Sequence, residues 1–358
     1  MSAPPPPGPL SRAIAILAQR QSLTEDQAAD VFGAVMRGEA GPAQAAALLM
    51  GLRVKGETAA ELAGAARALR EVMVCVPADG PHLVDTAGTG GGTVGTFNIS
   101  TGAAVVAAGA GATVAKHGNR SFTSRCGSAD VFEALGVSIG LGAERAAEVL
   151  RQAGIVFLFA PNYHPAIRHI APVRRELGVT TLMNLLGPLA NPAGARRQVL
   201  GVADADRAPL VAQAAAHLGA LHVLVVHARI GMDEISPCGL TDVWEVRGGD
   251  VRTWTVDPED YGLWVGDPAS LAGGAAEANA ERLERLLGGL DDGAGDRSGH
   301  AALLLNSAAA LYAAGVVGSY VEGIERSRDA IREGRAGAAL DRLRRAAPRE
   351  GSKTSSAG

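Results

Sequence analysis

The stretch Asp85-Thr86-Ala87-Gly88-Thr89-Gly90-Gly91-Gly92-Thr93-Val94-Gly95-Thr96-Phe97-Asn98-Ile99-Ser100-Thr101 decides how the rest of the chain is read. It follows a short apolar run, Leu83-Val84, and precedes an Ala/Val-rich segment from Gly102 to Ala110. That order is strand, glycine-rich turn, helix. Glycine tolerates positive φ and has no Cβ, so several backbone N–H groups can converge on one anion. The following helix adds the positive end of its dipole. Thr96, Asn98, Ser100 and Thr101 bring side-chain donors and acceptors to the same mouth. An ordinary turn has no use for that hydroxyl cluster, so the stretch is read as a phosphate cradle.

The nature of the phosphate ligand is narrowed by what is missing. Gly90, Gly92 and Gly95 match G-x-G-x-x-G, but the acidic ribose-binding residue expected about 20 positions further on is absent. Ala115 and Lys116 stand there. No G-x-x-x-x-G-K-[ST] occurs either, which argues against a P-loop nucleotidase.

At 358 residues the chain can form one large or two modest domains. A formal net charge of −4 gives no global reason to expect nucleic-acid binding, though it leaves room for a local basic pocket. The three cysteines, Cys75, Cys126 and Cys238, are too few and too scattered for a disulfide framework or a cysteine zinc site. No apolar run reaches membrane-span length and no signal pattern opens the chain, so a soluble, cytoplasmic protein is expected.

Working outward, residues 1–9 are rich in proline and read as a leader without helix. Residues 11–76 read as several helices, with Ala28, Val31, Phe32 and Val35 forming one apolar stripe. Thr24 with Gln27, and Thr58 with Glu61, have capping-box spacing. The apolar stripes of this helical module exceed what four short helices bury alone, which points to self-association.

From residue 82, β-branched runs alternate with Ala-rich helical patterns. The expected strands are 82–86, 112–116, 155–159, 198–202 and 222–227, and the expected helices 98–110, 129–135, 143–153 and 206–218. Such alternation predicts an α/β fold with a mostly parallel central sheet flanked by helices. Ligands then belong at the carboxyl ends of the strands. Residues 161–192 break the alternation with five prolines, residues 285–299 read as an exposed loop, a final helix is expected from Ala301 to Ala314, and 346–358 as a tail.

Three constellations carry chemistry. Lys116-His117-Gly118-Asn119-Arg120-Ser121-Phe122-Thr123-Ser124 packs two fixed cations, an imidazole and three hydroxyls into nine residues, which suits a phosphate or diphosphate. Asp233-Glu234 follows the apolar run Val223–Val226 after a short turn and could ligate Mg2+ beside phosphate oxygens. Arg174 and Arg175 lie in a proline-bounded segment, and a guanidinium there could hold a carboxylate by two parallel hydrogen bonds.

With these motifs assembled, the chain resembles the anthranilate phosphoribosyltransferase family from about residue 11 to 345. The carriers are Gly88-Thr89-Gly90-Gly91, Thr96-Phe97-Asn98-Ile99-Ser100-Thr101, Lys116-His117-Gly118-Asn119-Arg120, Gly127-Ser128-Ala129-Asp130 and His164-Pro165-Ala166. Downstream come Pro172-Val173-Arg174-Arg175-Glu176-Leu177-Gly178, Leu186-Gly187-Pro188-Leu189-Ala190-Asn191-Pro192 and Gly231-Met232-Asp233-Glu234-Ile235-Ser236. The resemblance implies a smaller all-helical domain (residues 10–78, joined by a segment near 163–185) and an α/β domain over 79–345. It also implies a homodimer formed through the helical part.

The implied reaction is transfer of 5-phosphoribose from phosphoribosyl diphosphate (PRPP) to the amine of anthranilate, with Mg2+, two ions per site, and release of diphosphate. Carried over by position, Gly88, Gly91, Gly92, Thr96, Asn98, Ile99, Ser100, Thr101, the run from Lys116 through His117, Gly118, Asn119, Arg120, Ser121, Phe122, Thr123 and Ser124, and Ser128 would hold PRPP. Ser100, Asp233 and Glu234 would ligate the metal. Gly88, Asn119, Arg174, His117 and Pro188 would contact anthranilate, and Lys116, Arg174 and Asn119 would be catalytic. Other readings are a phosphoribosyltransferase for another aromatic acid, a silent relative that binds nucleic acid, and a nucleoside phosphorylase of related fold.

The chain departs from the family pattern at three places. The family's glycine motif normally closes with Asp, where this chain has Gly92. Thr180-Thr181 and Met183-Asn184 stand where Arg-Thr and Phe-Asn are usual, and Cys126 replaces a small hydroxyl residue. Losing a carboxylate beside the diphosphate–metal group changes the local charge. Gly92→Asp is therefore expected to alter both the magnesium dependence of turnover and the PRPP KM. Activity measured over a magnesium series checks this, and superimposable curves refute it.

Overall fold

The computed structural model describes residues 8–78, 80–121, 126–289 and 295–349. Four helices open the chain: Pro9–Ala18, Glu25–Met36, Pro42–Lys55 and Ala59–Val72. The expectation of a helix-free leader fails at its end. Pro9 is helical because the first helical position needs no N–H and suits the fixed φ of proline. Residues 1–7 lie outside the described residues.

Both capping boxes form. Thr24 N–H donates to Gln27 Oε1 at 2.9 Å and Gln27 N–H to Thr24 Oγ1 at 3.2 Å. At the second box Glu61 is fully buried and does more than cap. Its carboxylate accepts from Thr58 N–H at 2.8 Å, from Leu23 N–H at 2.9 Å and from the Lys55 ammonium at 3.0 Å. Gly64 lets helix Ala59–Val72 lie against Glu25–Met36, since a Cβ there would fall 2.2 Å from the Glu25 carbonyl.

Seven strands form one sheet: β1 (Leu83–Gly88), β2 (Thr113–Gly118), β3 (Ile155–Phe159), β4 (Arg197–Gly201), β5 (His222–Ala228), β6 (Thr241–Arg247) and β7 (Asp250–Val256). Their order is β3-β2-β1-β4-β5-β6-β7. The first five pair in parallel, while β5–β6 and β6–β7 are antiparallel. All five expected strands are present within a residue or two, as are helices Ile99–Gly109, Ser128–Ala134, Ala143–Ala153 and Ala208–His217.

Along β5 every residue is buried, as befits a strand covered on both faces. Its alternation sorts side chains between two cores. Leu224 and Val226 join the large core under helices Ile99–Gly109 and Arg297–Ala314, whereas Val223 and Val225 face the N-terminal helices. The helical segment and this sheet face therefore share one apolar core, to which Val173, Met183 and Leu186 also belong.

Several elements differ from the sequence reading. The β6–β7 hairpin turns on Gly248 and Gly249, at φ 61° and 92°, and pairs Arg247 with Asp250. Positive φ at both central residues is what a two-residue hairpin turn of type I′ requires. Residues 285–287 end helix Ala276–Leu287 and 297–299 begin helix Arg297–Ala314, so the expected loop is confined to the residues between, of which 290–294 lie outside the described ones. Arg297–Ala314 is not final, because Tyr320–Arg332 and Arg335–Ala346 follow it. Of the expected tail, Pro348 bridges Val137, while 350–358 lie outside the described residues. Among the described residues no helix is long and apolar enough to cross a membrane.

Removing Glu61 strands the buried Leu23 N–H, the part-buried Thr58 N–H and part of the Lys55 charge. Glu61→Ala is expected to destabilise the protein by about 3 kcal/mol, the lower end for breaking a buried pair because Lys55 keeps Ser22 and the Gly56 carbonyl as acceptors. Denaturant unfolding reads this out; a loss within about 0.5 kcal/mol, as for an ordinary surface site, contradicts it.

Candidate active site

The sheet order reverses direction on either side of β1, which has β2 on one flank and β4 on the other. At such a switch point the loops leaving adjacent strands diverge and open a crevice at their carboxyl ends. The glycine stretch leaves β1 there. Gly90 and Gly91 adopt φ 65° and 82°, Thr89 N–H donates to the Gly201 carbonyl at 2.9 Å, and Thr93 N–H to that of Gly231 at 2.9 Å. Gly88 is required by proximity, since a Cβ there would sit 2.5 Å from Asp233 Oδ2.

The loop carrying Asp233 and Glu234 folds over this turn. Asp233 Oδ2 accepts from Gly90 N–H at 2.8 Å. Glu234 accepts from Ser100 N–H at 3.0 Å, at the start of helix Ile99–Gly109, and from Thr96 Oγ1 at 3.1 Å. Asn306, buried in helix Arg297–Ala314, pins the same loop by accepting from Ile235 N–H at 2.9 Å and donating to its carbonyl at 2.8 Å. Nothing in an Ala/Leu-rich helical pattern signals that role.

Lys116 lies beneath, 2% exposed. Its ammonium donates to the Thr86 carbonyl and, at 3.3 Å each, to Thr86 Oγ1 and Ser100 Oγ. Burial pulls it down to about 8, against the fields of Asp85, Glu234 and Asp233. Burial likewise raises Asp233 and, together with the charge of Asp233, pushes Glu234 up to about 8. Asp85 is fully buried and also raised by burial. Its carboxylate accepts from His117 N–H at 3.0 Å, Asn191 Nδ2 at 2.8 Å and Gln198 Nε2 at 3.4 Å, joining β1, β2, β4 and the segment after Pro188. Sequence reasoning gave Asp85 no role, because its partners lie 32, 106 and 113 residues away.

His117 and His164 are buried with their Nε2 atoms 3.2 Å apart. Burial lowers His117 to about 3 and His164 to about 4, so near pH 7 both rings are neutral. Pro188 is buried too, its carbonyl accepting from Gln198 Nε2 at 2.8 Å. Arg174 is half-buried on helix Ala171–Leu177 and, among the described residues, its guanidinium has no hydrogen-bond or ion-pair partner; Arg175 is exposed. Burial lowers the Arg174 pKa with no carboxylate to offset it.

Not every expected residue faces the crevice. Ile99 points into the core, and Thr101 is fully buried with its hydroxyl unpartnered. Arg120 is committed to Asp130 at 2.5 Å and Glu133 at 2.7 Å, which raises its pKa. Asn119 Oδ1 accepts from Arg120 N–H at 2.8 Å, and Ser128 Oγ donates to the Asn119 carbonyl at 3.4 Å. Gly118 allows close packing, since a Cβ would lie 2.3 Å from Ser128 Oγ. Ser121 is the last described residue before Phe122, Thr123 and Ser124, which lie outside the described residues. At Gly92 a Cβ would approach the Gly231 carbonyl to 2.8 Å, so an Asp there requires the loop to shift.

Ser100 Oγ, Asp233 and Glu234 form an oxygen-only donor set at the glycine turn. Two carboxylates held above their usual pKa by burial, and Glu234 also by the charge of Asp233, fit a hard divalent cation that takes its remaining ligands from phosphate and water.

Comparison with known proteins agrees with this geometry. Residues 80–337 match the a/b domain of the glycosyl transferase family and residues 11–73 its helical bundle domain. Anthranilate phosphoribosyltransferase from Herpetosiphon aurantiacus is 49% identical over 332 residues, 92% of this chain and 97% of that relative. The crystal structure of anthranilate phosphoribosyltransferase from Thermus thermophilus superposes with a TM-score of 0.86 at 43% identity, covering 92% of this chain and 98% of that one. The Saccharomyces cerevisiae enzyme in complex with PRPP and Mg superposes with a TM-score of 0.85 at 27% identity, covering 94% and 97%. The chain belongs to the anthranilate phosphoribosyltransferase family.

Proposed function

We propose that this protein transfers 5-phosphoribose from PRPP to the amine of anthranilate, giving N-(5-phosphoribosyl)anthranilate and diphosphate, the second step of tryptophan biosynthesis from chorismate. The observation that carries this reading is the Lys116–Ser100–Glu234 cluster beneath the glycine turn, with a guanidinium, Arg174, that has no partner among the described residues, in a proline-bounded segment. The yeast relative is described with PRPP and Mg. The readings with another aromatic acid, or with nucleic acid, draw no support from the relatives.

In this reading the glycine turn, Thr96, Asn98, Ser100, Lys116, Asn119 and Ser128 hold PRPP. Ile99 and Thr101 contribute through backbone groups alone, and Arg120 acts by fixing the Lys116–Ser121 loop to Asp130 and Glu133. Ser100, Asp233 and Glu234 would hold magnesium, two ions per site, which supplies charge neutralisation for departing diphosphate. Lys116 adds a fixed positive charge at the same end without needing to reorganise.

Arg174 grips the anthranilate carboxylate, and the neutral His117 ring with Pro188 offers an uncharged wall to the aromatic ring. Gly88 and Asn119 complete that contact. An aromatic amine is neutral at pH 7 and needs no base before it attacks, so positioning supplies much of the rate. The fold divides into a helical domain over 10–78 with 163–185 and an α/β domain over 79–345. The helical part is read as the face of a homodimer, and the enzyme as cytoplasmic.

An assay with PRPP and Mg2+ against a panel of aminobenzoates and hydroxybenzoates, following loss of anthranilate fluorescence, is expected to show turnover of anthranilate that chelation abolishes and added Mg2+ restores. No turnover of any acid, with tight nucleic-acid binding, overturns the reading. Arg174→Ala removes a charge-assisted pair worth about 1.5–3 kcal/mol, so the anthranilate KM is expected to rise about tenfold or more with the PRPP KM little changed. Equal effects on both substrates would place Arg174 elsewhere.

A further inference from the structure

Helix Ala276–Leu287 supplies none of the residues assigned above, yet it and the segment before it lie against the phosphate loop. Phe97 N–H donates to the Leu271 carbonyl at 2.9 Å. The Arg282 guanidinium stacks 4.2 Å from the Phe97 ring centroid. A Cβ at Gly273 would fall 2.4 Å from the Thr96 carbonyl oxygen.

Within this contact runs a relay of two amides. Gly274 N–H donates to Asn279 Oδ1 at 2.7 Å, Asn279 Nδ2 donates to Asn98 Oδ1 at 2.9 Å, and Asn98 Nδ2 donates to the Cys126 carbonyl at 3.2 Å. One end is a backbone N–H, which can only donate, and the other a backbone carbonyl, which can only accept. With both ends fixed, each amide between them has one permitted orientation. Asn279 is 3% exposed, so water cannot readily replace it. Asn98 is half-buried, and its second Nδ2 hydrogen has no partner among the described residues.

We propose that Asn279 is a positioning residue that holds the Asn98 amide with its N–H edge, rather than its oxygen, toward the diphosphate of PRPP. This rests on the function proposed above. Without Asn279 the Asn98 amide loses the donor that holds its oxygen and keeps only the 3.2 Å bond to the Cys126 carbonyl to set its orientation, and an amide oxygen turned toward phosphate repels it. Through Asn98 the relay also ties Cys126, at the end of the loop after Lys116, to the glycine stretch.

The test is a cycle of Asn279→Leu, Asn98→Ala and the double variant, with Asn279→Asp as a second route. The aspartate variant keeps the bond from Gly274 N–H but cannot donate to Asn98 when ionised, so it remains informative if the leucine variant fails to fold. Steady-state kinetics and calorimetric titration with Mg–PRPP are the readouts. The expected result is a PRPP KM and Kd raised about tenfold in either single Asn279 variant, as for loss of a hydrogen bond to a charged group. The anthranilate KM stays within about twofold, and in the Asn98→Ala background the Asn279 change adds nothing further.

An unchanged PRPP affinity, or the same loss with and without Asn98, overturns the proposal. If the wild-type protein binds Mg–PRPP but leaves anthranilate unreacted, the transferase reading falls while the calorimetric cycle still decides Asn279. If it binds no Mg–PRPP, both fall.

Discussion

Taking an ammonium out of water costs several kcal/mol unless its surroundings replace the lost solvation. Lys116 meets that condition only because three distant parts of the chain converge on it. Thr86 and Ser100 supply oxygen acceptors, Asp85 supplies charge from below, and Asp233 with Glu234 supplies charge from the crevice. Any displacement of the β1 turn, the Ile99–Gly109 helix or the Asp233 loop would leave a buried cation or a buried carboxylate unsupported. The site and the fold are in this sense one electrostatic object.

The same cluster explains why so much of the surrounding structure is backbone. Gly88 and Gly201 have no room for a side chain beside Asp233, where a Cβ at Gly201 would overlap the Asp233 carbonyl. Close packing lets N–H groups of the turn reach the carboxylates directly, as Gly90 and Ser100 do. Those contacts hold acidic groups where a cation and a polyphosphate can share them. Asp85 performs the complementary task on the other side by fastening the strand tips to the segment that carries Pro188 and Asn191.

Helices from opposite ends of the chain complete the arrangement. The N-terminal helices share a core with one face of β4 and β5, and Arg70 donates to the Leu189 carbonyl at 2.8 Å beside Pro188. From the C-terminal side, Asn306 fixes the Asp233-Glu234 loop and helix Ala276–Leu287 fixes Asn98 at the end of the glycine stretch. The loops at the carboxyl ends of the strands thus rest on elements from both ends of the chain.

Sequence periodicity alone located the five parallel strands and their intervening helices, because an apolar run of strand length between helical patterns has few other folded uses. The residue types, rather than any period, marked the glycine turn, Lys116 and the Asp233-Glu234 pair as chemistry-bearing. The β6–β7 hairpin leaves only a faint trace in the sequence, β-branched residues around Gly248-Gly249, because β7 is mostly exposed and carries no continuous apolar run. Tertiary structure alone decided that Asp85 is the hub, that Arg120 is already paired, that Ile99 and Thr101 turn inward, and that Asn279 reaches Asn98. Hydrogen bonds between residues 32 to 181 positions apart leave no period in a sequence, since either partner is compatible with its own helix or strand whatever stands opposite it.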